Sequence, residues 1–96
     1  MITLATLRQE KRTEILHLAE VHGGHNVRIF GPVARGDNGE KSDVDFLVEF
    51  EQGRSLLDLI GLKLDLQDLL RLTVDIVTPN SLRHVRERVL AEAQVL

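Results

Sequence analysis

The segment between Phe30 and Val44 constrains this chain more than any other. Just before it, residues 26–30 (Asn-Val-Arg-Ile-Phe) have the β-branched and aromatic content of a short strand. Just after it, Val44, Phe46, Val48 and Phe50 alternate with Asp45, Leu47 and Glu49, so a strand there is apolar on one face. Asp43, one step earlier, shares the face of Asp45. Residues 31–43 hold Gly31-Pro32, Gly36 and the loop-like Asp37-Asn38-Gly39-Glu40-Lys41-Ser42. Such a turn-rich segment cannot supply a crossover helix, so the two strands are expected to be antiparallel neighbours. The chain is then built around a hairpin that sets two carboxylates beside a glycine-bounded turn.

The remaining elements fall around this hairpin. Residues 4–22 read as a helix with Thr3 as N-cap and Gly23-Gly24 as its end, although the polar run from Arg8 to Glu14 weakens its first turns. Ser55 caps a second helix reaching to about Leu70. Its leucines cover most of its circumference, which suits either a core helix or a face for a partner. Asp58, Asp65 and Asp68 form a stripe on that helix, with solvation as their default role. Residues 73–78 form a third strand carrying Asp75, closed by Pro79-Asn80. Ser81 is expected to cap a last helix, with Leu82, Val85, Val89, Ala93 and Leu96 at helical spacing. The predicted order α-β-β-α-β-α defines one α/β (α+β) domain over residues 1–96. Its sheet is small, mixed or antiparallel, with three or four strands flanked by helices.

Composition removes several classes of function. The chain has no Cys, so disulfides and thiolate metal sites are excluded. It has no Tyr or Trp and a net charge of -3, which argues against direct nucleic-acid binding. No apolar run approaches the roughly 20 residues needed to span a bilayer, and a cytoplasmic protein is expected. His17, His22, His25 and His84 lack the spacing of metal ligands and read as surface residues. Arg83, Arg86 and Arg88 give the last helix a basic side, most simply a solvated one.

The chemistry concentrates at the hairpin. Two carboxylates at i, i+2 on a strand repel each other, and one is expected to take up a proton unless a cation intervenes. Mg2+ takes oxygen ligands and commonly binds one or two carboxylates together with substrate phosphates. Asp75 lies between Val74 and Ile76, so its side chain leaves the core face and joins Asp43 and Asp45 if the strands are adjacent. Three carboxylates can hold two metal ions, the arrangement for in-line phosphoryl or nucleotidyl transfer, with Asp75 the best candidate for deprotonating the incoming hydroxyl, directly or by holding a metal. Gly31 and Gly36 allow close approach of backbone to phosphate, and Arg35 is a candidate phosphate ligand.

Gly31-Pro32-Val33-Ala34-Arg35-Gly36 followed by Ser42-Asp43-Val44-Asp45-Phe46-Leu47-Val48 resembles the signature of the DNA polymerase β-type nucleotidyltransferase superfamily. Together with the Leu-rich segment from Ser55 to Leu70 and Val74-Asp75-Ile76-Val77, it is similar to the minimal nucleotidyltransferase (MNT) group. The likeness covers the chain from about Glu14 onward. It implies an antitoxin paired with a HEPN-domain ribonuclease toxin in a hetero-oligomer. It also implies that the antitoxin uses ATP and Mg2+ to transfer AMP to a toxin tyrosine. By position, Asp43, Asp45 and Asp75 are then the metal-binding and catalytic carboxylates. The turn from Gly31 through Pro32 and Arg35 to Gly36 meets the triphosphate, and Ser42 is a loop hydrogen-bonder beside it.

The chain departs from that pattern at one position, where Pro32 replaces the usual serine. Proline offers neither a hydroxyl nor an N–H, and each charge-assisted donor lost is worth about 1.5–3 kcal/mol. Two outcomes stay open at this point: an adenylyltransferase, or an antitoxin that neutralises its toxin by binding alone.

Overall fold

Strand β1 (Gly24–Phe30) and strand β2 (Val44–Phe50) pair antiparallel, with Phe30 opposite Asp45 and Gly24 opposite Phe50, as the intervening segment requires. The computed structural model describes residues 1–40 and 43–96; Ser42 therefore lies outside the described residues. From β2 the chain crosses through helix α4 (Leu56–Leu70) to strand β3 (Val74–Val77), which lies parallel to β2. A fourth strand, β4 (Gln94–Val95), pairs antiparallel with the other edge of β1. The sheet order is β3-β2-β1-β4.

The N-terminal helical segment consists of α1 (Leu4–Thr6), a wider π-helical turn (Leu7–Lys11) and α2 (Arg12–Val21). Thr3 caps it through a hydrogen bond from the Thr6 N–H at 3.0 Å. The wide turn falls within the polar stretch where the sequence offers the helix least support, yet Leu7 within it is fully buried. Ile15 and Ala19 of α2 join Leu62, Leu66 and Leu70 of α4 over the apolar face of the sheet. That face presents Val27, Ile29, Val44, Phe46, Val48, Val74 and Ile76. None of the described helices is long and apolar enough to cross a membrane.

The two roles open for the leucines of α4 are divided around its circumference. Leu62, Leu66 and Leu70 are core, whereas Leu56, Leu57, Ile60 and Leu64 are exposed on another face. Its acidic stripe does more than meet solvent. Asp58 closes a capping box with Ser55, and Asp65 accepts a 2.7 Å hydrogen bond from His22 Nε2. His22 is thus half-buried between α2 and α4, in space that Gly61 leaves open, while His17, His25 and His84 are exposed.

The C-terminal region differs most from the sequence reading. Ser81 does not cap the last helix: its hydroxyl donates to the Thr78 carbonyl at 2.8 Å within a 3-10 turn (Pro79–Ser81). Helix α5 (Arg86–Glu92) starts later and stops sooner than helical spacing predicts. At Ala93 the backbone becomes extended, and the chain spends its last residues pairing with β1. The Leu96 N–H reaches the Val27 carbonyl at 3.2 Å, which buries Leu96 in the core. Arg8 donates to the Val95 carbonyl at 2.7 Å through Nη2, and Arg12 Nε to that of Leu96 at 3.2 Å. An unpaired β1 edge and a buried leucine outweigh the helical periodicity here.

Candidate active site

At the end of β1 the chain turns directly into helix α3 (Gly31–Arg35), a single short helix. Gly31 has φ +75°, and a Cβ there would collide with Oδ2 of Asp45. Both facts demand glycine, and both follow from the closeness of the turn to the carboxylate. Pro32 occupies the first turn of α3, where its fixed φ suits the helix and a backbone N–H has no intrahelical acceptor. Gly36, at φ +81°, ends the helix in the left-handed conformation, and its N–H donates to the Pro32 carbonyl at 2.9 Å. Beyond it, Asn38 Nδ2 donates to the Ile2 carbonyl at 2.9 Å, fastening the loop to the N-terminus.

The sheet register brings the predicted acids together. Asp45 and Asp75 are direct partners across the parallel β2–β3 pair, so their side chains leave the same face. Asp43 stands exposed one step before β2, and Asp75 is exposed on its edge strand. Asp45 is half-buried. Its pKa is pushed up to about 6, first by desolvation and then by the charges of Asp75 and Asp43, with Arg35 opposing. The direction is that expected of crowded carboxylates without a cation, with burial adding the larger share.

Two further charged groups belong to this corner and were not singled out by sequence reasoning. Glu92, from the last turn of α5, accepts the Gly31 N–H at 2.6 Å. It also accepts Arg35 Nη1 on both carboxylate oxygens at 3.0 Å. Desolvation raises its pKa, but the Gly31 and Arg35 hydrogen bonds outweigh that and hold it below the ordinary glutamate value. Arg35 is in turn raised by Glu92 and then by Asp37, which takes its Nε at 3.2 Å. Lys63 of α4 places its Nζ 3.8 Å from Asp75 Oδ1. The available signal was slight. Glu92 is a lone acid among Leu90, Ala91 and Ala93, and Lys63 a lone cation in a leucine-rich helix.

Among the described residues no three His, Asp or Glu side chains form a ready cage for a metal ion. The acids nonetheless have the character such an ion needs. They are hard oxygen donors, two of them register partners, and the pKa of one is pushed up to about 6 by burial and then by the charges of the other two. This donor set fits a cation whose remaining ligands come from a substrate, the common mode for Mg2+. The groove bounded by Glu49 and Arg54 and by Thr78 and Asn80 lies at the opposite end of β2 and contains none of these acids.

A mixed four-stranded sheet flanked by helices, with acids clustered beside a glycine turn at the end of β1, defines a nucleotidyl-transfer scaffold. Residues 9–96 match the nucleotidyltransferase domain family, and the chain belongs to it. Within that family, it is 50% identical to a solved protein provisionally described as a minimal nucleotidyltransferase. That match has a TM-score of 0.86 and covers 99% of this chain and 97% of the other. It is 42% identical to a Methanocaldococcus jannaschii protein provisionally named a protein adenylyltransferase, over 88% of this chain and 91% of the relative. It is 40% identical to the protein adenylyltransferase MntA of Thermococcus cleftensis, over 86% of this chain and 84% of the relative. A crystal structure of a toxin-antitoxin with AMP-PNP shares the fold, with a TM-score of 0.75 at 20% identity; the match covers 88% of this chain and 71% of that one. The protein is a minimal enzyme of the nucleotidyltransferase class.

Proposed function

We propose that this chain is the antitoxin of a toxin-antitoxin pair and silences its partner by adenylylation. In this reading it transfers AMP from ATP to a tyrosine hydroxyl of a HEPN-domain ribonuclease toxin in the cytoplasm. The observation that carries the proposal is the register pairing of Asp45 with Asp75 beside the Gly31 turn. The adenylyltransferase names of its relatives and the nucleotide-bearing toxin-antitoxin structure support it.

In the reaction the tyrosine oxygen attacks the α-phosphorus of ATP. A new P–O bond forms, the α–β phosphoanhydride bond breaks, and pyrophosphate leaves. The phenolic proton passes to the carboxylate of Asp75, whose exposed edge position admits a bulky acceptor. Arg35 pairs with the triphosphate, and Gly31 lets the backbone stand close to it. Asp43, Asp45 and Asp75 would hold Mg2+, two ions in the full arrangement. A metal held there would offset phosphate charge and lower the pKa of the attacking hydroxyl. The acceptor tyrosine must lie on the partner, since this chain has none.

The test is to incubate the protein with ATP labelled at the α-phosphate, Mg2+ and the product of the adjacent gene. Label is expected on that partner and should disappear with the double substitution Asp43→Ala, Asp45→Ala. A partner that stays unlabelled counts against transfer.

A second reading, neutralisation by binding alone, draws on Pro32, which removes a phosphate donor, and on the exposed Leu56, Leu57, Ile60 and Leu64. It requires the double variant to neutralise the toxin as well as the wild type does.

A further inference from the structure

Glu92 connects parts of the molecule that lie far apart in the sequence. Its hydrogen bond to the Gly31 N–H spans 61 positions of sequence, and its side chain is only 20% exposed. The backbone beneath it is anchored from both sides. Helix α5 packs on α3, and Gln94 pairs with Ile29 immediately after the helix ends. Arg8 and Arg12 then fasten the carbonyls of Val95 and Leu96. The glutamate is therefore presented from a fixed platform.

We infer that Glu92 is a positioning residue, which sets Arg35 and the Gly31 turn in the pose that receives the nucleotide's phosphates. The inference rests on the nucleotide reading of the site. Arginine carries five N–H donors in one rigid plane. Asp37 takes Nε and Glu92 takes Nη1, at 3.2 and 3.0 Å, so the plane is held at two points. Among the described residues Nη2 has no such acceptor, and its two donors are left for an incoming anion.

A free arginine at this exposed position would lose considerable rotamer freedom on binding phosphate. Here two carboxylates have already removed it, which lowers the cost of binding. Glu92 acts on the turn in the same way. By accepting the Gly31 N–H it secures a backbone conformation at φ +75° that brings the turn against Asp45. Sequence separation hides this arrangement, because only the pairing of β4 with β1 delivers the end of α5 to the start of α3.

The opposite role has a different signature. A glutamate that merely plugged the phosphate site would compete with nucleotide, and its removal would tighten binding.

The experiment is calorimetric titration of the full chain with Mg2+ and a non-hydrolysable ATP analogue, for wild type, Glu92→Ala, Glu92→Gln, Arg35→Ala and the Glu92→Ala, Arg35→Ala pair. Thermal melting accompanies each titration. Positioning predicts about 10-fold weaker binding for Glu92→Ala, the worth of one preordered side chain. Glu92→Gln, which still accepts from the Gly31 N–H and Arg35, should recover most of that loss. Should the alanine variant fail to fold, Glu92→Asp, one methylene too short to reach both partners, takes its place, with weaker binding expected and unchanged binding overturning the role. Removing Glu92 from the Arg35→Ala protein should weaken binding less than it does in the wild type, because only its hold on the Gly31 turn is left to lose. In turnover, KM for ATP should rise with kcat nearly unchanged.

Tighter or unchanged binding by a folded Glu92→Ala protein overturns the positioning role while the nucleotide site stands. Fully additive effects of the two substitutions overturn it as well. A wild-type protein that binds no nucleotide overturns the reading on which it rests.

Discussion

The two faces of the β2–β3 pair are made by the same strands in the same register, yet they do opposite work. Val44, Phe46, Val74 and Ile76 point under α2 and α4 and are buried. Asp45 and Asp75 alternate with them and leave the other face, where burial and mutual repulsion raise the pKa of Asp45. One face gains stability from apolar contact, and the other concentrates like charges that oppose folding. A strand's two-residue period allows both within seven residues of chain, and the acid-bearing face is backed by core on its reverse side.

Four substitutions break or sharpen this contrast. The largest effect belongs to Asp75→Asn, which should lower the rate of AMP transfer at least about 1,000-fold, or roughly 4 kcal/mol in the barrier. Its melting temperature should stay near that of the wild type, since the side chain is exposed and the change isosteric. Phe46→Ala on the opposite face should reverse the pattern. Denaturant unfolding is expected to show a loss of about 3–5 kcal/mol, because the side chain is fully buried.

Gly31→Ala lies where the two faces meet and should injure both properties. A left-handed φ and a collision with Asp45 predict a loss of about 2 kcal/mol by denaturation, together with weaker nucleotide binding.

The smallest effect is a pH dependence. Between its unfolded value of 3.8 and its folded value of about 6, Asp45 keeps its proton in the native state and loses it on unfolding. Stability therefore declines as pH rises through this window and stays reduced above it. Asp45→Asn removes that decline. At pH 8 it should melt higher than wild type, by on the order of 1 kcal/mol once solvent screening of a half-exposed group is counted. The gain should vanish near pH 4, and a gain that persists there would assign the effect to something other than ionisation.

Much of this site was legible because its signals are local. The turn-rich linker before Val44 predicts an antiparallel hairpin, and alternation around Asp45 and Asp75 predicts acids on the face away from the core; the structure has both. The C-terminus misleads because its periodicity is as helical as that of a true helix. Only the competing bond between Leu96 and Val27, with the open edge of β1, converts residues 94–95 to strand. The histidines illustrate the same limit, since His22 becomes half-buried only through its meeting with Asp65 on another helix.

Pro32 is the clearest point at which structure refines a sequence argument. Its missing N–H remains one donor fewer for phosphate, yet its place in the first turn of α3 makes it compatible with the helix. The Gly31 N–H beside it is not free, because Glu92 holds it.

The sequence by itself determined the hairpin, the glycine turn and the face on which each acid stands, since each depends on neighbours within a few residues. Only the tertiary structure decided that Asp75 stands directly beside Asp45, that Lys63 approaches it, and that Glu92 closes on Arg35. Those meetings depend on strand order and on an edge pairing made by the last residues of the chain. Such contacts are won or lost in competition among distant segments, and no local pattern records the outcome.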